Sequence, residues 1–154
     1  MLLTDCLVNV NFGLIYTNIL ISGKNMTWRP HSNWHKAKLK AEVLSNIRTF
    51  FAKRNVIEVD TPILSSGTVT DVYLDTFFTD YSMGGYQDHK SKQRLYLQTS
   101  PEFGMKRLLA SGYGCCYQIC KAFRNEQAGS QHNPEFTILE WYRFGFTHLD
   151  LMNE

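Results

Sequence analysis

The 154-residue sequence contains no C-x-x-C pair. Its four cysteines, Cys6, Cys115, Cys116 and Cys120, therefore lack the spacing of a zinc ligand set. Cys115 and Cys116 are neighbours and would point to opposite faces of a strand, so they cannot share a metal. Reduced, buried thiols in a cytoplasmic protein are the expectation. There is neither a polybasic tract nor an acidic tail, and the formal net charge is only +2. Composition thus gives no sign of a nucleic-acid or membrane partner. No apolar run is long enough to span a bilayer. The most apolar stretch, Leu14 to Ser22, is broken by Asn18, and no basic residue precedes it. Asp5 stands where a secretory leader would carry positive charge. Residues 1–26 are expected to be an irregular extension, and length and composition make the remainder a single globular unit.

What is present centres on Tyr117 to Tyr142, YQICKAFRNEQAGSQHNPEFTILEWY. At period two, Gln118, Cys120, Ala122, Arg124 and Glu126 share one strand face. A polar loop follows with Gly129, Ser130, Asn133 and Pro134 as turn formers. Phe136, Ile138, Glu140 and Tyr142 then share a face of a second strand. Paired as an antiparallel hairpin, the two runs place Arg124, Glu126, Phe136, Glu140 and Tyr142 on one surface. Arg124 offers a fork of donors to a phosphate or carboxylate. Phe136 could stack on a base, and Glu140 with Tyr142 could hold an ammonium group. Spacing alone leaves open a solvated face with ordinary cross-strand pairs.

Upstream, Leu39, Val43, Ile47 and Phe50/Phe51 recur at helical spacing over His35 to Asn55, with Asn33 or Ser32 as cap and Asn55 as a C-terminal stop. Val56 to Asp60 reads as a strand leading to Thr61-Pro62. Leu64 to Asp71 reads as a loop, Val72 to Tyr81 as a strand, residues 82–93 as a polar turn, and Leu95 to Gln98 as a short strand. Thr99-Ser100-Pro101-Glu102 then precedes a helix over Phe103 to Ser111, with Met105, Leu108 and Leu109 inward and Lys106 and Arg107 exposed. Gly112 and Gly114 end it. Pro101 and Glu102 also suit a helix start for structural reasons alone.

The wording F-R-N-E, a short loop, then H-N-P-E-F-T-x-L-E-W-Y resembles motif 2 of the class II aminoacyl-tRNA synthetases in its lysine-specific form. The resemblance runs from about Trp28 to Glu154. It is nearest to the branch that attaches lysine or β-lysine to elongation factor P. It implies an α+β fold: part of a class II catalytic domain, an antiparallel sheet flanked by helices, ending before motif 3. Motif 1 would occupy about 35–62 and form a homodimer interface, with motif 2 at about 115–142. The implied reaction is ATP-dependent formation of a lysine or β-lysine adenylate, followed by transfer to a lysine side chain of elongation factor P. Arg124 would contact the α-phosphate as the catalytic residue. Asn125 (through its backbone or indirectly), Glu126, His132, Asn133 and Phe136 would complete the ATP site. Ser100, Pro101, Glu102, Glu140 and Tyr142 would hold the amino acid, Glu102 at its near amine and Glu140 with Tyr142 at its distal ammonium. Mg²⁺ would accompany ATP, its ligands expected beyond residue 154, with no metal site in this chain.

Ser100, Gln131 and Trp141 depart from the lysyl-tRNA synthetase pattern, and only a short segment precedes the first helix, where a synthetase carries an anticodon-binding domain. No tRNA partner is therefore expected. Motif 3 is missing, so the chain reads as the N-terminal half of a catalytic domain, inactive and poorly soluble alone. The alternatives are a piece of a lysyl-tRNA synthetase, or a non-catalytic dimerising relict.

Overall fold

A computed structural model describes residues 32–82, 84, 92–126 and 132–154. The expected N-terminal extension and Gln131 lie outside the described residues. Helix α1 (Trp34–Ala52) begins where Asn33 Oδ1 accepts from the Lys36 N–H at 2.9 Å, satisfying one of the donors a helix start leaves free. Beyond its end, Asn55 adopts φ 55°, a left-handed conformation that asparagine tolerates better than most residues. The chain turns back there, and the Val56 N–H reaches the Phe51 carbonyl at 3.1 Å.

Two three-stranded sheets follow. In the first, β1 (Ile57–Glu58) runs parallel to β5 (Cys116–Phe123), which pairs antiparallel with β6 (Glu135–Tyr142). In the second, β4 (Lys92–Leu97) lies between β2 (Leu64–Ser65) and β3 (Phe78–Ser82), all antiparallel. Backbone bonds join them: the Gln98 carbonyl accepts from the Phe123 N–H at 2.9 Å, and the Asp75 carbonyl from Asn125 at 2.9 Å. Helices α2 (Glu102–Ala110) and α3 (His148–Asn153) complete the fold, and Gly112 at φ 90° ends the α2 turn.

Several local expectations are corrected. Leu64–Ser65, expected in a loop, form a strand because Leu97 and Tyr96 pair with them from far along the chain. The strand expected from Val72 begins only at Phe78. Asp71 Oδ1 captures the Tyr73 N–H at 2.9 Å, a local turn that competes with extended pairing. Strand β4 starts at Lys92, three residues early, its polar start hidden from an apolar pattern. The apolar stripe of α1 is covered only at its C-terminal end: Phe51 is buried, while Leu39 is exposed.

The hairpin β5–β6 has a core on each face. Behind it, Phe51 stacks on Tyr117 with ring centroids 4.2 Å apart, beside Val56, Leu139 and Trp141. Glu58 fastens that side, accepting from Arg48 Nε at 3.0 Å and from the Tyr117 hydroxyl at 2.9 Å. In front, Met105 and Leu109 of α2 pack on Cys116 and Tyr142. Cys115 packs behind and Cys116 in front, on opposite faces as expected. Among the described residues no helix is long and apolar enough to cross a membrane.

Candidate functional site

Register decides which side chains meet. Gln118 pairs with Glu140, Cys120 with Ile138 and Ala122 with Phe136. Because residues directly opposite in an antiparallel pair point the same way, these six share the front face with Tyr142. The Arg124 N–H continues the ladder to the Pro134 carbonyl at 2.9 Å. Its guanidinium carbon lies 5.2 Å from the Phe136 ring centroid, on the same face, and its Nε donates to the Thr99 carbonyl at 3.4 Å. Arg124 and Glu140 are therefore on one side of the hairpin. Phe136 and Glu140 are four residues apart on one strand, a separation of about 13 Å.

At the far end, Glu140 is 1% exposed. The Ser100 hydroxyl donates to its Oε2 at 2.6 Å, and the Tyr142 hydroxyl to its Oε1 at 2.6 Å. Burial raises the Glu140 pKa, and the two hydroxyls only partly counter this. Ser100 also accepts the Glu102 N–H at 3.2 Å, tying the start of α2 to the carboxylate. Pro101 is buried at the N-cap position, and Met105 donates back to its carbonyl at 2.9 Å. Lys106, expected to be exposed, is instead half-buried and pairs with Glu102 at 2.8 Å, since residues four apart share a helix face.

The remaining expected positions are less gathered. The Asn125 N–H is taken by Asp75, so it is not available to a nucleotide. Glu126 and His132 are exposed and Asn133 is half-buried, on either side of residues that are not described. Among the described residues no group of three His, Cys, Asp or Glu side chains gathers to hold a metal.

Sequence reading missed three side chains of the site. Gln118 is 1% exposed and faces Glu140 across the ladder. Its Oε1 accepts from the Thr61 hydroxyl at 2.9 Å, while its Nε2, facing Cys120, meets no nitrogen or oxygen acceptor among the described residues. The Thr99 hydroxyl is buried and has no hydrogen-bond partner among the described residues. Gln118 could have been found from the register, since a buried amide opposite a buried carboxylate is not a packing choice. Thr61 and Thr99 gave no signal, because their partners lie far away in the chain.

Chemically, one end of the face presents a cation and an aromatic plate, suited to a flat anionic group. The other end presents a buried carboxylate that, among the described residues, accepts from two neutral hydroxyls, an arrangement suited to a cation. The two ends are joined by Ile138, Cys120 and Ala122, which offer an apolar middle.

The family profile "tRNA synthetases class II (D, K and N)" matches residues 18–154. A Vibrio atlanticus protein named "Elongation factor P--(R)-beta-lysine ligase" is 58% identical over 128 residues, covering 83% of this chain and 39% of its own length. Proteins of the same name from Photobacterium profundum and Vibrio cholerae are 58% and 55% identical over 127 and 130 residues. They cover 82% and 84% of this chain, and 38% and 39% of themselves. The chain thus spans well under half the length of these relatives.

Proposed function

The chain belongs to the class II tRNA synthetase family of the D, K and N group, and we propose that it supplies the ATP and amino-acid grip of an elongation factor P ligase. Residues 27–154 would form the first part of the catalytic domain, with motif 1 at about 35–62, motif 2 at about 115–142 and motif 3 contributed by sequence not in this chain. The observation that carries the reading is the pairing of Arg124 over Phe136 with a hydroxyl-bound, buried Glu140 on the same face.

In the first step a carboxylate oxygen of a lysine-type amino acid attacks the α-phosphorus of ATP, and pyrophosphate leaves with the bonding electrons. In the second, a lysine amine of elongation factor P attacks the adenylate carbonyl and AMP leaves. Arg124 holds the α-phosphate and the attacking carboxylate together, where its fork matches both oxygens. Phe136 stacks on adenine. Glu140 and Tyr142 take the distal ammonium, while Ser100 and Glu102 meet the near amine. Glu126, His132 and Asn133 complete the nucleotide end. Exposed Trp34 and Leu39 on α1 support a homodimer through motif 1, with the whole enzyme working in the cytoplasm.

The test is ATP–pyrophosphate exchange by this chain joined to the C-terminal remainder of the Vibrio atlanticus relative. Exchange driven by (R)-β-lysine or lysine, and none by the 154-residue chain alone, is the expected result. Charging of tRNA would transfer the assignment to a synthetase, and no exchange with either amino acid would remove the ligase reading.

A further inference from the structure

Thr61 occupies an unusual position between two elements of the site. It is 7% exposed, and its hydroxyl donates to Gln118, the cross-strand neighbour of Glu140. On its other side stands Gly104, in the first turn of α2. A Cβ added at Gly104 would lie 2.8 Å from Thr61 Cβ and 2.9 Å from its Oγ1. Real Cβ atoms do not approach so closely, so any larger residue there forces α2 away from the sheet. Glycine is therefore present for proximity, since Gly104 is helical and costs stability relative to alanine elsewhere. The contact seats the end of α2 that carries Glu102, while Ser100 ties that same end to Glu140 at 2.6 Å.

We propose that the Thr61–Gly104 contact sets the gap between Glu102 and Glu140, and so selects β-amino over α-amino substrates of the lysine type. The inference rests on the ligase reading above and deepens it. In lysine the two amines are separated by five carbons, and in β-lysine by four. A site whose two carboxylates take the two amines therefore favours β-lysine when the gap is short, and lysine when it is longer. Thr61 and Gly104 touch neither amine; they are positioning residues, acting through Glu102 on one side and through Gln118 on the other. Misplacement of a binding group by about 1 Å is enough to change rates by up to about a hundredfold, so a helix shift of that size registers in selectivity.

The experiment compares kcat/KM for (R)-β-lysine and for lysine in the exchange assay on the joined protein. Gly104→Ala is expected to lower the β-to-α ratio about tenfold, mostly through KM. Thr61→Gly, which leaves room for α2 to settle closer, is expected to move the ratio the other way. The pair Thr61→Gly/Gly104→Ala is expected to bring it back towards the parent value. Loosening of the fold alone would depress both substrates together and give no opposite signs. Should Gly104→Ala fail to fold, the Thr61→Gly ratio and its reversal in the pair still decide. An unchanged ratio in an active Thr61→Gly protein overturns the proposal while leaving the ligase reading intact. An inactive parent protein overturns both.

Discussion

Glu140→Gln removes a charge from a position 1% exposed to solvent, and the sign of its effect follows from the site. In the unfolded chain this carboxyl ionises at its ordinary value, 4.5; in the folded chain burial raises it. Folding therefore favours the protonated form. That contribution to stability is complete below 4.5 and is lost as pH rises through the folded pKa. Glutamine keeps the shape of the neutral carboxyl and does not titrate. Holding an ionised carboxylate in the interior costs several kcal/mol. Against that, the two hydroxyl bonds are each worth about 1 kcal/mol more to a carboxylate than to an amide. Where Glu140 is ionised in the folded chain, the balance is a gain of about 2 kcal/mol for the variant, or about 4–8 °C in Tm for a chain of this size. Thermal melts of the 154-residue chain and of Glu140→Gln, followed by circular dichroism from pH 5 to pH 8, measure it. The two curves should converge at the acid end and separate as pH rises, with the variant higher. A variant that melts lower than the parent as pH rises refutes the reasoning: Glu140 would then be fully satisfied as a carboxylate inside the fold, with no call for a ligand cation.

Tyr117→Phe keeps the ring against Phe51 and deletes the hydroxyl bond to Glu58; a loss of about 1 kcal/mol in urea denaturation is expected. Burial pushes the Tyr117 phenol up from 10.0 to about 12, so its bond holds below 10 and is lost as pH climbs through about 12. A late-titrating tyrosine in the ultraviolet spectrum should accordingly vanish in this variant. Phe51→Ala empties the centre of the rear core, where the ring is 2% exposed, and should cost about 3–5 kcal/mol by the same denaturation measurement. Arg124→Lys keeps the charge but loses the fork; pyrophosphate exchange by the joined protein should fall more than about a hundredfold, with the melting temperature within about 2 °C of the parent.

The hairpin could be read from the sequence because its signals are local. Alternation on both sides of a polar loop set the face, and the ladder from Cys116–Tyr142 to Phe123–Glu135 has the register that puts Gln118 and Ala122 opposite Glu140 and Phe136 on that face. The α1 cap at Asn33 and the turn at Asn55 were legible for the same reason. What escaped depends on partners distant in sequence. Strand β2 exists through Leu97 and Tyr96, and the Ser100–Glu140 bond spans forty residues. Neither has a local pattern. Periodicity also cannot tell a covered apolar stripe from an uncovered one, so Leu39 and Phe51 looked alike in the sequence though only Phe51 is buried.

Two glutamates on the hairpin's opposite sides make clear the reasoning by which a ligand is proposed for the front one. Each accepts a tyrosine hydroxyl, Glu58 from Tyr117 and Glu140 from Tyr142. Glu58 also accepts three guanidinium bonds from Arg48, and its pKa falls, led by that pairing. Glu140 has Ser100 in the corresponding place, and its pKa rises, led by burial. Lys106 lowers it, the smallest of its influences, and that ammonium lies 2.8 Å from Glu102. A carboxylate of purely structural use would be cheaper to keep as Glu58 is kept, with its cation supplied by the fold. Burying Glu140 more deeply while giving it only neutral donors leaves a charge that an ammonium from outside would balance.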